Sequence, residues 1–260
     1  MMLTDKYAYS SSLSRVSPEA KMLFSLVPLA ICILFNSIAL SLVTIVIMAV
    51  ATVKFGKMSL SRYIGFVLVP LGFMVIGTLT ILINRFEPGH ALLMGLQVGQ
   101  YAYGIDEASL NLSLKLVLRA LGAVSCMYFL SLNTPLSDLF QVLGRTRLPQ
   151  IIVTLMELIY RYIFVLLEEV ERMITAKDSR LGNINFKTSL SSLGEIISML
   201  FIRAYQRSER IYAGLESRGY NGQFKTMNEE YTYSKNMYTA SVVVIILLLC
   251  AGAAERFFYI

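Results

Sequence analysis

Four long apolar runs without a charged residue, in addition to the glycine-broken stretch 88–105, constrain the fold of this 260-residue chain more than any other feature. They cover residues 22–53, 63–84, 120–137 and 236–254. A helix needs about 20 mostly apolar residues to cross the hydrocarbon core of a membrane. Only 15% of the residues are charged, whereas soluble domains have about 25%. The sequence therefore predicts an all-α integral membrane protein.

The first run is too long for one ordinary span. Asn36 and Ser37 in its middle predict two short helices, about 22–35 and 38–53, joined by a tight polar turn. We therefore expect about four spans within residues 1–133 and a fifth within residues 237–260. The glycine-broken apolar stretch 88–105 is expected to form a re-entrant or surface hairpin between the third and fourth spans.

Basic residues predict the orientation of these spans. If the N-terminus is cytoplasmic, all but four of the 23 lysines and arginines lie inside, as the positive-inside rule requires. The four exceptions are Arg85, Lys115, Arg119 and Arg256. Lys115 and Arg119 are expected to mark an interfacial helix start rather than an ion path. We expect no cleaved signal peptide, because charges of both signs precede the first apolar run.

Residues 134–236 differ in character and are predicted to form a cytoplasmic region. A short amphipathic helix is expected at 134–144, because this segment opens with Thr-Pro and closes with glycine. A helix of about 30 residues follows at 149–178, and a second one at 188–219. Both long helices are apolar in their first part and charged towards their end.

The ends of the two long helices carry a repeat. ERMITAKDSR (171–180) returns 38 residues later as ERIYAGLESR (209–218). Two like surfaces allow one chain to engage both halves of a two-fold symmetric partner, and arginine is suited to pair with carboxylates. The alternative is that arginine stabilises each helix C-terminus through the helix dipole and that the repeat is fortuitous.

Catalytic and metal-binding chemistry finds little support in the sequence. His90 is the only histidine, and three cysteines stand apart in apolar runs, where we expect buried side chains. LEEVER (167–172) is one residue short of the EExxxR motif of intramembrane proteases, and no GxxxxGK[ST] phosphate-binding loop is present. We expect no enzyme activity, no cofactor, no resident metal and no nucleic-acid partner.

Four segments together resemble one known family, the transmembrane coupling subunits (T components) of energy-coupling-factor importers, in the cobalt or nickel branch called CbiQ. These segments are YAYSSSLSRVSPEAKMLFSL (7–26), TPLSDLF (134–140), LMELIYRYIFVLLEEVERM (155–173) and RSERIYAGLESRGYNG (207–222). The resemblance implies a multi-pass protein of the prokaryotic cell (inner) membrane. It also implies two partners: a pair of ATP-binding-cassette ATPases and a metal-specific, substrate-binding membrane subunit (S component).

In the family, two coupling helices end in short arginine motifs that dock into acidic grooves of the ATPases. The resemblance places these motifs at Ser179-Arg180-Leu181 and Ser217-Arg218-Gly219, with Glu171, Arg172, Glu209 and Arg210 as supporting residues. Both motifs have serine where alanine is common in the family, and the first has leucine where glycine is common. ATP hydrolysis belongs to the partner ATPases, so the chain itself is implied to be a non-catalytic coupler.

Two other functional classes make different predictions. A self-contained channel or secondary transporter should carry polar or charged residues inside its spans, and these are scarce in the apolar runs. A membrane enzyme should carry a cluster of titratable residues. The coupling subunit is therefore our principal prediction and the self-contained transporter its alternative.

Overall fold

The structure is a computed structural model that describes the backbone of residues 3–35, 37–82, 84–86, 94–98, 101–220, 231 and 234–258. Side chains are described for residues 7–35, 37–82, 104–220, 231, 234, 235 and 237–252. His90, which we expect to be a loop residue, lies outside the described residues.

Helices form most of the described chain, as the sequence predicts. In chain order the elements are α1 (Leu3–Ser10), α2 (Pro18–Leu34), α3 (Ile38–Val50), α4 (Leu60–Leu82), β1 (Asn84–Phe86), β2 (Met94–Val98), β3 (Tyr101–Ile105), α5 (Glu107–Asn133), α6 (Leu136–Gly144), α7 (Gln150–Ser179), α8 (Phe186–Glu216) and α9 (Lys235–Phe258). A π-helical turn at Ala51–Phe55 extends α3. These elements divide into two compact units, a bundle unit (residues 2–139 and 229–260) and a hairpin unit (residues 140–228).

Helix α5 is the centre of the bundle unit and packs against α1, α2, α3 and α4. The ring centroids of Phe24 and Phe129 are 4.9 Å apart, in a core that also contains Met48. Gly122 permits close packing of α5 on α2, because a Cβ atom there would lie 2.8 Å from the Cys32 sulfur. The contact between α2 and α5 therefore leaves no room for a side chain larger than that of glycine at position 122.

A buried lysine ties three segments of the bundle together. Lys21 is fully buried, and its ammonium donates hydrogen bonds to the backbone oxygens of Leu13 (3.0 Å) and Asn133 (3.2 Å). The hydroxyl of Ser11 donates to the side-chain oxygen of Asn133 at 2.9 Å. Because Asn133 is the last residue of α5, Lys21 satisfies a carbonyl that has no partner within that helix.

Helix α4 has the opposite character, since only Tyr63 along it is buried. Apolar residues of this helix stand exposed, Phe73 to 80%. By length and composition, four described helices can cross a membrane: Ile38–Phe55, Leu60–Leu82, Glu107–Asn133 and Gln150–Ser179. The described part of α9, Met237–Gly252, is a shorter apolar helix. Helix α4 thus exposes its apolar surface in the way a lipid-facing helix does.

The predicted division of the first run into two helices is confirmed, because α2 ends at Leu34 and α3 begins at Ile38, whereas Asn36 lies outside the described residues. The Ser37 hydroxyl caps α3 by accepting a hydrogen bond from the backbone nitrogen of Leu40 at 3.1 Å. Lys115 and Arg119, which the sequence predicts to mark an interfacial helix start, lie inside α5 instead. Helix α5 begins at Glu107, where Asp106 and Ser109 form a reciprocal capping box.

A three-stranded antiparallel sheet, in the order β1-β3-β2, stands between α4 and α5. Strands β2 and β3 pair with Met94 opposite Ile105 and Val98 opposite Tyr101. The predicted hairpin in 88–105 is therefore a β-hairpin over its described residues, and β1 adds a third strand. The cysteine prediction is corrected at one position, because Cys32 and Cys126 are buried but Cys250 is exposed.

Candidate functional site

The two arginine motifs lie at the ends of α7 and α8, and both helices stop with the same backbone geometry. At the end of α7 the amide of Gly182 donates to the oxygen of Lys177 at 3.0 Å, and the amide of Leu181 donates to that of Asp178 at 3.1 Å. This pair of hydrogen bonds defines a Schellman motif, in which the residue beyond the helix adopts a left-handed conformation. Leu181 has that conformation, with φ = 58°.

The end of α8 repeats each of these features. The amide of Tyr220 donates to the oxygen of Leu215 at 3.0 Å, and the amide of Gly219 donates to that of Glu216 at 3.0 Å. Gly219 takes the left-handed position with φ = 69°, a conformation that glycine adopts without steric cost. The sequence repeat is therefore also a structural repeat, in which the arginine immediately precedes the left-handed residue.

Both arginines are exposed, as are Ser179 and Ser217. Among the residues that the structure describes, neither arginine pairs with a carboxylate. The two serine hydroxyls bind within their own helices, Ser179 to the oxygen of Thr175 at 2.9 Å and Ser217 to the oxygen of Gly214 at 3.0 Å. The serine hydroxyls are therefore occupied within their own helices, and the guanidinium groups are the parts of the motifs available to an acidic partner.

The predicted supporting residues are distributed over exposed helix surface. Glu171, Arg172, Glu209 and Arg210 are all exposed. Arg172 pairs with Glu168 one turn earlier, at 2.6 Å, rather than with the motif. An exposed pair at this spacing stabilises a helix by only about 0.3–0.5 kcal/mol. These four residues thus lie on the same helices as the motifs without contributing contacts to them.

Helices α7 and α8 run antiparallel, so the motifs lie at opposite ends of the hairpin. An ion pair joins Glu169 of α7 to Arg203 of α8. The guanidinium of Arg207 lies 6.0 Å from the ring centroid of Tyr162. A later residue of α8 therefore contacts an earlier residue of α7, which is the pattern of antiparallel helices. Helix α8 has 31 residues, which at 1.5 Å per residue separates Arg180 from Arg218 by about 45 Å.

A mostly apolar groove runs between the two helices. Its volume is about 410 Å³. It is lined by Leu158, Ile159, Tyr162, Ile163, Leu166, Ala204, Arg207, Ser208, Ile211, Tyr212 and Leu215. Helix α8 has no buried residue, and Leu190, Ile197 and Phe201 are exposed along it. The hairpin unit therefore presents extended apolar surface between its two cationic ends.

Arg119, predicted to mark an interfacial helix start, lies inside α5 in the structure. The Arg119 side chain donates a hydrogen bond to the backbone oxygen of Ile33, near the end of α2. The Arg119 guanidinium satisfies a carbonyl in the last turn of α2 that has no partner within that helix. Its positive charge also interacts favourably with the negative C-terminal end of the α2 dipole. Arg119 thus has a structural role that does not require an ion path. Among the described residues, no three His, Cys, Asp or Glu side chains form a metal-binding group.

A largely helical fold with four described helices able to cross a membrane defines the class as a multi-pass membrane protein. The family described as the cobalt transport protein CbiQ matches residues 9–229 of the chain. The chain belongs to this CbiQ family.

Individual relatives agree with that assignment. An uncharacterized protein of Methanocaldococcus jannaschii is 34% identical over 256 residues, which cover 98% of this chain and 94% of the relative. The cobalt transport protein CbiQ of Salmonella typhimurium is 26% identical and covers 85% of this chain and 97% of its own. The energy-coupling factor transporter transmembrane protein EcfT of Staphylococcus aureus is 27% identical over 69% of each chain.

Proposed function

We propose that this chain is the coupling subunit of an energy-coupling-factor importer. It transmits conformational change from two ATP-binding-cassette ATPases to a substrate-binding S component in the membrane. The observation that carries this proposal is the equivalence of the two helix ends, each with an exposed arginine in front of a left-handed residue. One chain that must meet two like ATPase surfaces needs two such ends.

Arginine chemistry supports the docking role of Arg180 and Arg218. A guanidinium is charged at all physiological pH values and presents five donors in a rigid fork that matches carboxylates. The Schellman geometry fixes the backbone on both sides of each arginine. Because neither pairs with a described carboxylate, each is free to engage acidic residues of a partner groove.

The apolar surface of α7 and α8 supports contact with a membrane subunit. Exposed apolar residues of α8 need a partner of similar polarity, which the S component and the lipid interface both offer. Motion of the two cationic ends then reaches the S component through the apolar helix surfaces. On this proposal residues 134–236 lie in the cytoplasm, together with the N-terminus, and the spans of the bundle hold the chain in a prokaryotic cell membrane.

Cobalt is the proposed cargo, with nickel as the alternative of the same branch. The support is the printed description of the matching family and of the Salmonella relative as cobalt transport proteins. In such transporters the S component selects the ion, so the coupling subunit itself needs no metal ligands. A self-contained channel or secondary transporter is the competing proposal. It receives less support because Arg119, one of the charged residues within α5, donates a hydrogen bond to the backbone oxygen of Ile33 at the end of α2.

Co-purification tests the proposal directly. The chain is tagged in its host, the membranes are solubilised in a mild detergent, and the retained proteins are identified by mass spectrometry. We expect two ATP-binding-cassette ATPases, or two copies of one, together with a small membrane protein whose own cargo identifies the substrate. Repeated recovery of the chain alone would contradict coupling and favour the self-contained transporter.

A further inference from the structure

The left-handed position is occupied by different residues at the two ends of the hairpin. Glycine adopts this conformation without steric cost, as Gly219 does. Leucine does so only against repulsion between its Cβ and the backbone, yet Leu181 has φ = 58°. Such strain persists where the surroundings or a function require it, and it is found at ligand-binding sites.

The loop around Leu181 is held by hydrogen bonds rather than by burial of that residue. The side-chain amide of Asn183 donates to the Asp178 carboxylate at 2.5 Å, and the Ser189 hydroxyl donates to the side-chain oxygen of Asn183 at 3.0 Å. The Ser192 hydroxyl donates to the backbone oxygen of Gly182 at 3.3 Å. The strained residue is therefore presented on a built loop, not hidden by it.

Three large apolar side chains are exposed in the segment that leads from Arg180 to the first residue of α8. Leu181 is 68% exposed, Ile184 67% and Phe186 85%. We call these three residues the apolar tip. At the end of α8 the corresponding position is a glycine without a side chain, so the first motif has an apolar element that the second lacks at this position.

We propose that the apolar tip is a docking contact for the ATPase that receives Arg180, and that it makes the two ends of the hairpin non-equivalent. The inference rests on the proposed function. The occupant is an ATPase groove in which a carboxylate lies next to an apolar pocket. Charge complementarity to Arg180 requires the carboxylate, and the exposed leucine one residue later requires the pocket.

The test measures binding of the co-purified ATPases to the full-length chain in lipid nanodiscs. Leu181→Asn removes the apolar side chain while keeping a residue that tolerates the left-handed conformation, and Leu181→Met keeps an apolar side chain of similar size. Burying a leucine side chain is worth about a tenfold change in affinity or somewhat more. We expect Leu181→Asn to weaken binding by about tenfold, while Leu181→Met stays near the original affinity.

Two further variants separate this inference from the proposed function. Arg180→Glu should abolish docking at the α7 end whether or not the apolar tip contributes. If Arg180→Glu weakens binding and Leu181→Asn leaves it unchanged, the apolar-tip inference is overturned and the coupling function stands. If Arg180→Glu has no effect either, the proposed function fails.

Leu181→Gly removes both the strain and the apolar side chain. We expect it to raise or preserve the melting temperature and still to weaken ATPase binding, which a purely structural leucine would not do. Unchanged ATPase affinity combined with weaker retention on anionic vesicles would assign the tip to the membrane surface and overturn the inference.

Discussion

Leu181 and Gly219 occupy the same position in two copies of one helix-ending motif, with φ values of 58° and 69°. Each follows an exposed arginine, and each amide donates to the oxygen three residues before it, Asp178 for Leu181 and Glu216 for Gly219. The equivalence extends from sequence to backbone hydrogen bonding. It gives the paired arginines a common backbone geometry.

Reversing the charge of either arginine should weaken ATPase association. Arg180→Glu or Arg218→Glu places a carboxylate against the acidic groove, and the loss of a paired arginine at an interface costs about 2–5 kcal/mol. The two sites are about 45 Å apart by helix length, so the losses should add in the double variant. Binding is measured by titrating the ATPases onto the reconstituted chain. Arg147→Glu is a charge-matched control at an exposed position outside both motifs, and an equal loss there would contradict specific docking.

Thiol labelling distinguishes a coupling hairpin from a membrane-crossing α7. Helix α7 is long and apolar enough to span, and because α7 and α8 are antiparallel, a span would place Ser179 and Ser217 on opposite sides of the membrane. We expect single cysteines at both positions to react with an impermeant reagent from the cytoplasmic side only. The background carries Cys250→Ser, since Cys250 is exposed whereas Cys32 and Cys126 are buried. Labelling of one position from outside would reject the coupling arrangement.

The antiparallel arrangement also predicts a distance. Spin labels at Ser179 and Ser217 should give a distribution centred near about 45 Å, the length of α8. Arg203→Ala removes the pair with Glu169, and because Arg203 remains half exposed, the stability should fall by no more than about 1 kcal/mol. The distance distribution should broaden, however. Arg210→Ala, an exposed arginine without a described ion-pair partner, serves as the control. A short distance in the unmodified chain would exclude the antiparallel hairpin.

Gly122 should be intolerant of substitution. Gly122→Val brings side-chain atoms into the space of the Cys32 sulfur, which lies 2.8 Å from the position of a Cβ, and overpacking of this kind costs about 1–3 kcal/mol. Thermal unfolding in detergent reports the loss. Gly65→Ala on α4 is the matched control, since nothing lies within 4 Å of a Cβ there. Its stability should remain equal or increase, because alanine favours a helix more than glycine. Equal melting temperatures for both variants would contradict close packing of α2 on α5.

The helices of the bundle could be predicted from the sequence, because an uncharged run of about 20 apolar residues forms few structures other than a membrane-spanning helix. The start of α5 could not, because Lys115 and Arg119 interrupt the uncharged run without interrupting the helix. Arg119 remains compatible with the helix by donating to the oxygen of Ile33. Lys21 was counted only as one of many cytoplasmic charges, whereas it is fully buried as a link between segments. Charge counting does not reveal such long-range hydrogen bonds.

The candidate site likewise has features that the sequence predicts and features that it does not. The sequence repeat is sufficient to single out Arg180 and Arg218, and the known preference of glycine for the left-handed conformation accounts for Gly219. The same rule gives no reason to expect a left-handed leucine at Leu181. The antiparallel pairing of α7 and α8 was also not predicted, since it depends on contacts such as that between Glu169 and Arg203.

The contact between Glu169 and Arg203 has a mechanical consequence. Arg203 lies near the middle of α8, so about 20–25 Å of helix extends to each side of it. If the helices turn against each other at this crossing, it acts as a pivot with two nearly equal lever arms. A rotation of about 10° then displaces each arm's end by about 4 Å, in opposite directions. A small angular change at the centre of the hairpin thus becomes a displacement larger than the length of a hydrogen bond.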